Sequence, residues 1–265
     1  MNIIVCVKPV PDPEKYHLLK IDTKTKRLIR EGIPTILNPC DRTAVEAALQ
    51  LKETHGGKVV ILSMAPLFSQ DRIREALAMG ADEAYIACDA LFAGADTFST
   101  SYTLMKAIEA LGVRFDLILT GTESADGATA NVPTQLAEWL SYPHATGVSD
   151  IEVRDGYATV RKKIEQGRIG YRIKLPVLLS VEKNAYRPRL ISAMNVIGAG
   201  KKTIGILTAE TLGVDECRVG LKGSPTRAGE LIQLDLRRAG REISGEPEEI
   251  ARRIVDIAKK SGVNC

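Results

Sequence analysis

Three stretches of the chain are apolar almost throughout: Ile3–Val7, Lys58–Ser63 and Val177–Val181. Runs of this length without polar alternation fit strands buried on both faces. Helical spacing fills the intervals. Ala44, Val45, Ala48, Leu49 and Leu51 follow Asp41, a candidate N-cap, and Gly56-Gly57 ends the pattern. Ser69 or Asp71 opens a second helix through Ile73, Leu77 and Met79, and Gly80 closes it. Glu83–Ala87 reads as a third strand and 97–111 as a third helix, with Leu104, Ile108 and Leu111 on one face. Asp116–Thr120 reads as a fourth strand, followed by a Gly-bearing turn at 121–127 and a helix ending near Leu140. Strands alternating with helices predict an α/β fold: a mostly parallel sheet with helices on both faces.

The pattern changes after residue 147. Val148–Val153 and Tyr157–Arg161 flank Asp155-Gly156, a hairpin signal, and Tyr171–Leu175 gives a further strand before Pro176. A polar hairpin is expected over 19–29. Residues 200–245 lack clear periodicity and carry Gly-Ser-Pro-Thr-Arg-Ala-Gly at 223–229, which reads as an extended arm. The final helix has Pro247 in its first turn, Ile250, Ile254, Val255 and Ala258 on one side, and Lys259-Lys260 near its end. Two domains are therefore expected: 1–200, an α/β domain, and 201–265, an arm and helix that dock on another chain or pack on their own domain.

Composition adds mainly exclusions. The 265 residues are 45% hydrophobic and 26% charged, an ordinary globular balance. No window approaches about 18 consecutive apolar residues, so no membrane span is expected. The N-terminus reads as a strand rather than a signal peptide, and the expected compartment is cytoplasmic. A formal net charge of +3 and 5% aromatics give no basis for nucleic-acid binding. The five cysteines, at 6, 40, 88, 217 and 265, form neither a CxxC pair nor a zinc ribbon, and no metal site is expected.

Gly121-Thr122-Glu123-Ser124-Ala125-Asp126-Gly127-Ala128-Thr129-Ala130-Asn131 sits between a buried strand and a helix. Small residues there let backbone N–H groups approach a phosphate, and a helix N-terminus favours an anion. An ordinary turn capped by Asp126 is the alternative. The loop matches neither a Walker A nor a GxGxxG template, and the chain has no GxSxG, HExxH or SGGxDS. Ala93–Ser101, with Asp96 before a helix, is a second candidate; Lys8-Pro9-Val10-Pro11-Asp12, a rigid turn leaving strand one, is a third. The three histidines lack a nucleophile or carboxylate at a recognisable spacing, so no catalytic residue is assigned.

Val7–Asp12, Asn38-Pro39-Cys40-Asp41, Ala76-Leu77-Ala78-Met79-Gly80-Ala81-Asp82, the 121–131 loop and Ser224–Gly229 occur in an order that resembles the small (β) subunit of electron-transfer flavoproteins, over nearly the full length. The resemblance implies that 1–200 is a Rossmann-like, adenine-nucleotide-binding α/β domain, with a heterodimer formed with an α subunit, electron-transferring FAD bound mostly by α, and a C-terminal arm (201–265) that wraps α. It implies an electron carrier rather than a self-contained enzyme, exchanging electrons with a flavin dehydrogenase. The β chain would hold AMP, or in bifurcating members a second FAD that meets NADH, so NAD is an implied co-substrate there. Carried over, the contacts are Cys6, Lys8, Asn38 and Asp41; Ser63, Met64 and Ala65; and Gly121, Thr122, Glu123, Asp126, Gly127, Ala128, Thr129, Ala130, Asn131 and Val132. Ala93–Leu104 is similar to bifurcating members, which favours FAD over AMP and places Asp96, Thr97 and Thr100 near the flavin. The chain departs from them at Ala128, usually an acid, and at Asn131-Val132-Pro133, usually Gln-Val-Gly. The family signature keeps only its Pro188-Arg189 core, in the stretch that includes the loop docking dehydrogenases. A stand-alone adenine-nucleotide-binding regulatory module on the same fold is the alternative.

Overall fold

Strand β1 (Asn2–Cys6) lies mid-sheet with neighbours on both sides, which is why Ile3, Ile4 and Val5 are all buried. In the computed structural model, residues 1–18, 20–21, 28–29, 33–227, 229, 240 and 242–262 are described. After β1 come the short strands β2 (Pro9–Pro11), β3 (Lys20–Ile21), β4 (Leu28–Ile29) and β5 (Thr35–Leu37), with β2 paired to β5 and β3 to β4. The expected hairpin over 19–29 is present in its two strands; its turn, 22–27, lies outside the described residues.

The alternating portion follows as α1 (Pro39–His55), β6 (Lys58–Met64), α2 (Gln70–Met79), β7 (Glu83–Ala87), α3 (Thr97–Ala110), β8 (Leu117–Gly121) and α4 (Val132–Leu140). Then come β9 (His144–Arg154), β10 (Tyr157–Ile164), β11 (Gly167–Lys174), β12 (Val177–Val181), α5 (Ala193–Gly200), β13 (Ile204–Leu207), α6 (Ala209–Leu212) and α7 (Pro247–Lys260). Helix α1 starts earlier than Asp41: Asn38 occupies the cap position, Pro39 the first turn, and Asp41 is a first-turn acid. Its carboxylate is used elsewhere, as described below.

The large sheet has the order β11-β10-β9-β12-β8-β1-β6-β7-β13. It is parallel from β9 to β13, and the β9–β10–β11 meander is antiparallel. Strand β1 takes β6 on one side and β8 on the other, so the order reverses there, the topological feature that opens a crevice at the carboxyl ends of parallel strands. One core, with Ile3, Val5, Ile61 and Leu119, packs beneath α1 and α2; the other, with Ile4, Leu62, Ile118 and Leu178, packs beneath α3 and α4. This is the alternation expected of strands covered on both faces.

The first compact unit runs from Met1 to Gly229 and the second from Glu230 to Cys265. Past residue 200, Ile204–Leu207 forms β13, which pairs in parallel with β7 and extends the sheet. Four residues beside a lone neighbour give too short a pattern to read from sequence. In the second unit α7 is an amphipathic helix whose Ile254, Val255 and Ile257 are exposed. Among the described residues no helix is long and apolar enough to cross a membrane.

Candidate functional site

A cavity of about 980 Å³ opens at the carboxyl ends of β1, β6, β7 and β8, where the strand order reverses. Its walls are small residues (Ala65, Ala87, Ala90, Ala93, Gly94, Ala95) and three polar corners.

The first corner is the exit of β1. The Asp41 carboxylate, buried, accepts from the Lys8 backbone N–H at 2.7 Å, the Gly121 N–H at 3.1 Å and the Asn38 amide at 2.9 Å. That amide also donates to the Glu123 carbonyl at 2.8 Å, and its oxygen accepts from the Ala125 N–H at 3.1 Å. Residue 121 must be glycine: a Cβ there would lie 2.3 Å from an Asp41 oxygen and 2.7 Å from Cys40 Cβ. Burial pushes the Asp41 carboxyl up to about 7, against the pull of these donors and of the Lys8 charge. Burial and the Asp41 charge push the Cys6 thiol up to about 12 and raise Cys40 as well.

The second corner is the loop between β8 and α4. The Lys8 ammonium reaches Asp126 at 2.7 Å, so this acid is turned from the cavity and neutralised. Ala128 and Ala130 both hold left-handed φ, +47° and +53°, a conformation that costs a non-glycine residue free energy and gathers at functional loops. The loop then enters α4 at Val132, presenting a helix N-terminus to the cavity. Thr120, at the floor, carries a buried hydroxyl with no hydrogen-bond partner among the described residues.

The third corner is the start of α3. Asp96 caps the helix by accepting from the Ser99 N–H at 3.0 Å, and it also accepts the N–H and hydroxyl of Thr226 at 2.9 and 2.7 Å. Ser224 accepts the Asp96 N–H at 2.8 Å. Burial alone would raise the Asp96 carboxyl, but these donors outweigh it and hold it below its usual value. Asp89 is similarly lowered by the Leu91 and Ala209 N–H groups. The acids around the cavity thus have their acceptor oxygens largely committed to internal donors.

Of the residues expected at the site, all but Ser63, Asp126 and Ala128 line this cavity. Ser63 fails because side chains alternate along β6: Leu62 packs with the α3 side, while Ser63 points to the α1 and α2 side with Ile61. Sequence reasoning drew contacts from strands one, two and four. It missed Ala87, Cys88, Asp89 and Ala90 at the end of β7, which the carboxyl-end rule alone could have found. It also missed Phe92 and Thr120, and Thr226, for which no local signal exists.

Comparison with known proteins settles the family. The model for "Electron transfer flavoprotein domain" matches residues 25–212. The chain belongs to the electron transfer flavoprotein family. Among its relatives is the electron transfer flavoprotein subunit beta of Thermoanaerobacterium thermosaccharolyticum, 42% identical over 97% of both chains. That of Clostridium acetobutylicum is 39% identical over 98% of both. The Caffeyl-CoA reductase-Etf complex subunit CarD of Acetobacterium woodii is 39% identical over 99% of this chain and all of its own length. Within the electron transfer flavoprotein family, then, the chain is a β subunit. The cavity suits a nucleotide by its volume, its helix N-terminus and the unpartnered Thr120 hydroxyl. Among the described residues no cluster of His, Cys, Asp and Glu could hold a metal ion.

Proposed function

We propose that this β subunit holds FAD, rather than AMP, in the cavity at the carboxyl ends of β1, β6, β7 and β8, in a cytoplasmic heterodimer with an electron-transfer-flavoprotein α subunit. The observation that carries the choice is the reach of the cavity. Small-molecule sites span about 300–1,000 Å³, and this one stands near the upper limit at about 980 Å³. Its lining extends from the 121–132 loop to Ala87–Ala90, Phe92–Thr97, Thr100 and Leu104. That is more surface than an adenylate alone would cover, and the alanines, Phe92 and Leu104 suit a flat ring system.

The residues divide accordingly. Gly127, Thr129, Ala130, Asn131 and Val132 supply backbone and a helix N-terminus for phosphate, with Lys8 as the nearby cation. Cys6, Met64 and Ala65 line the floor. Asp96, Thr97 and Thr100 stand at the α3 end of the lining. Flavin supplies the redox chemistry when bound; the chain's part is to position it and set its surroundings. The free thiols of Cys6, Cys40, Cys88 and Cys217 accord with a reducing compartment. Leu190 is 97% and Met194 76% exposed beside Val196 and Ile197, an apolar surface that suits docking of a flavin dehydrogenase. One relative, CarD, is a subunit of a Caffeyl-CoA reductase-Etf complex; NADH as the electron source is part of the same proposal.

The test is to co-produce the chain with an α subunit, extract the nucleotides and count them. Two FAD per heterodimer is the expected result. One FAD with one AMP overturns the choice of FAD, and no nucleotide beyond the α-bound FAD overturns the site.

A further inference from the structure

Asp41 was expected to touch the ligand, yet each of its oxygens is already committed to the chain. One takes the Lys8 N–H, and the other takes the Gly121 N–H and the Asn38 amide. Through Asn38 the same cluster holds the Glu123 carbonyl and the Ala125 N–H. Three segments distant in sequence, the exit of β1, the start of α1 and the loop after β8, therefore meet on one buried carboxylate. Gly121 has lost its side chain to let that carboxylate in.

We propose that Asp41 is a positioning residue for the nucleotide cavity: ionised, it locks the exit of β1 to the 121–125 loop, and the grip of this corner on an anionic ligand is lost when the carboxylate takes a proton. The proposal rests on the reading of the cavity as a nucleotide site. The physical reason is the donor count. A carboxylate accepts from all the donors that face it, whereas a protonated carboxyl must itself donate. Among the described residues its hydrogen-bond partners are all donors, so its O–H would have to displace the Lys8 N–H, the Gly121 N–H or the Asn38 amide. Release of any of them frees Lys8 or the loop that carries it against Asp126.

The groups facing Asp41 allow this titration without interference. From β1 and its exit come the Cys6 thiol and the Lys8 ammonium; from its own helix comes the Cys40 thiol. Both thiols are raised and stay neutral near neutral pH. The loop after β8 faces Asp41 with a backbone N–H. Burial places the Asp41 transition at about 7, within reach of ordinary buffers.

Simple Coulomb repulsion predicts the opposite sign, since an ionised Asp41 would oppose a phosphate. The sign of the effect therefore decides. The stripped heterodimer is titrated with AMP and with FAD from about pH 8.5 to about pH 5.5, a range that brackets the Asp41 transition. Hydrogen exchange is followed in parallel over peptides covering 6–10 and 119–126, corrected for intrinsic pH dependence. Affinity is expected to fall as pH drops through about 7. D41N is expected to bind at least about tenfold more weakly at high pH, the loss of one hydrogen bond to a charged group. Its binding should be flat with pH and its exchange faster in both peptides, and D41E should recover part of both. Tighter binding by D41N, or a wild-type pH profile that survives in D41N, overturns the proposal. If D41N does not fold, the wild-type profile alone decides, and binding that strengthens or stays level as pH falls overturns it. If neither nucleotide binds at any pH, the nucleotide reading fails, while unchanged exchange across the same pH range separately overturns the lock.

Discussion

The Thr226 hydroxyl and backbone N–H both donate to one oxygen of Asp96, at 2.7 and 2.9 Å, across a sequence separation of 130 residues. The other oxygen of Asp96 caps α3. A helix start and a late segment of the first compact unit thus share one carboxylate on the cavity rim.

Asp96→Ala should lose both functions. Loss of the cap costs about 1–2 kcal/mol, and the Thr226 contacts add to it. Thr226→Val keeps the N–H and should cost about 1 kcal/mol, one side-chain hydrogen bond. Urea unfolding of the two variants measures the difference. Equal losses would remove the capping role. Because the Asp96 carboxyl is lowered from its ordinary 3.8, its stabilisation is full above that value and disappears as pH falls through the lower folded-state value.

Gly121→Ala places a methyl group against the Asp41 carboxylate and Cys40. Neither neighbour can retreat, since one is buried and multiply bonded and the other is packed in α1. A destabilisation of about 1–3 kcal/mol is expected from overpacking, together with lost nucleotide retention by the heterodimer. Unfolding curves and nucleotide extraction read the two effects. An alanine variant of wild-type stability would mean that the corner is looser than its distances indicate.

Arg189 makes three contacts to Glu46, from its backbone N–H at 3.1 Å and its guanidinium at 2.9 and 3.0 Å, and another to Glu53. Glu46 is buried in α1, and Arg189→Ala leaves its carboxylate only the residue 189 N–H and the Gln50 amide, with no cation. Removing one partner of a fully buried pair costs about 3–5 kcal/mol; exposure of the Arg189 side chain lowers the expectation to about 2–3 kcal/mol. Arg189→Lys should recover little, because a lysine cannot grip both oxygens in a fork. Burial would raise the Glu46 carboxyl, but Arg189 and Gln50 more than compensate and hold it below its ordinary 4.5. Its contribution is therefore present above pH 4.5 and fades as pH falls below it. Thermal unfolding of wild type and Arg189→Ala across that range measures the window.

Leu190→Glu and Met194→Glu should leave stability within about 0.5 kcal/mol, as surface changes do, while slowing electron exchange with a partner dehydrogenase. Steady-state assays at varied partner concentration check this, with the effect in apparent KM rather than in maximal rate. Unchanged kinetics for both variants would move the docking surface elsewhere.

Much of the fold was legible because its signals are local. The apolar runs at Ile3–Val7 and Val177–Val181 could only be buried strands, and Asp155-Gly156 marked the turn between β9 and β10. The mouth of the cavity followed from strand–helix alternation. What escaped depended on partners far away in sequence. Asp41 looked like an N-cap because its type and position fit, yet its carboxylate is claimed by Gly121, 80 residues on. Ser63 was misplaced by one step of the strand alternation. Thr226 sits in a stretch rich in turn residues, and nothing near it indicates that Asp96 will hold it.

The sheet order has a consequence for biosynthesis. Strand β1 is made first but is paired on one flank by Val59–Leu62 and on the other by Leu117–Thr120. At about 5–20 residues per second, the ribosome leaves this greasy ribbon uncovered for several seconds before its second neighbour emerges. Until then the apolar faces of Ile3–Cys6 are open to chaperones.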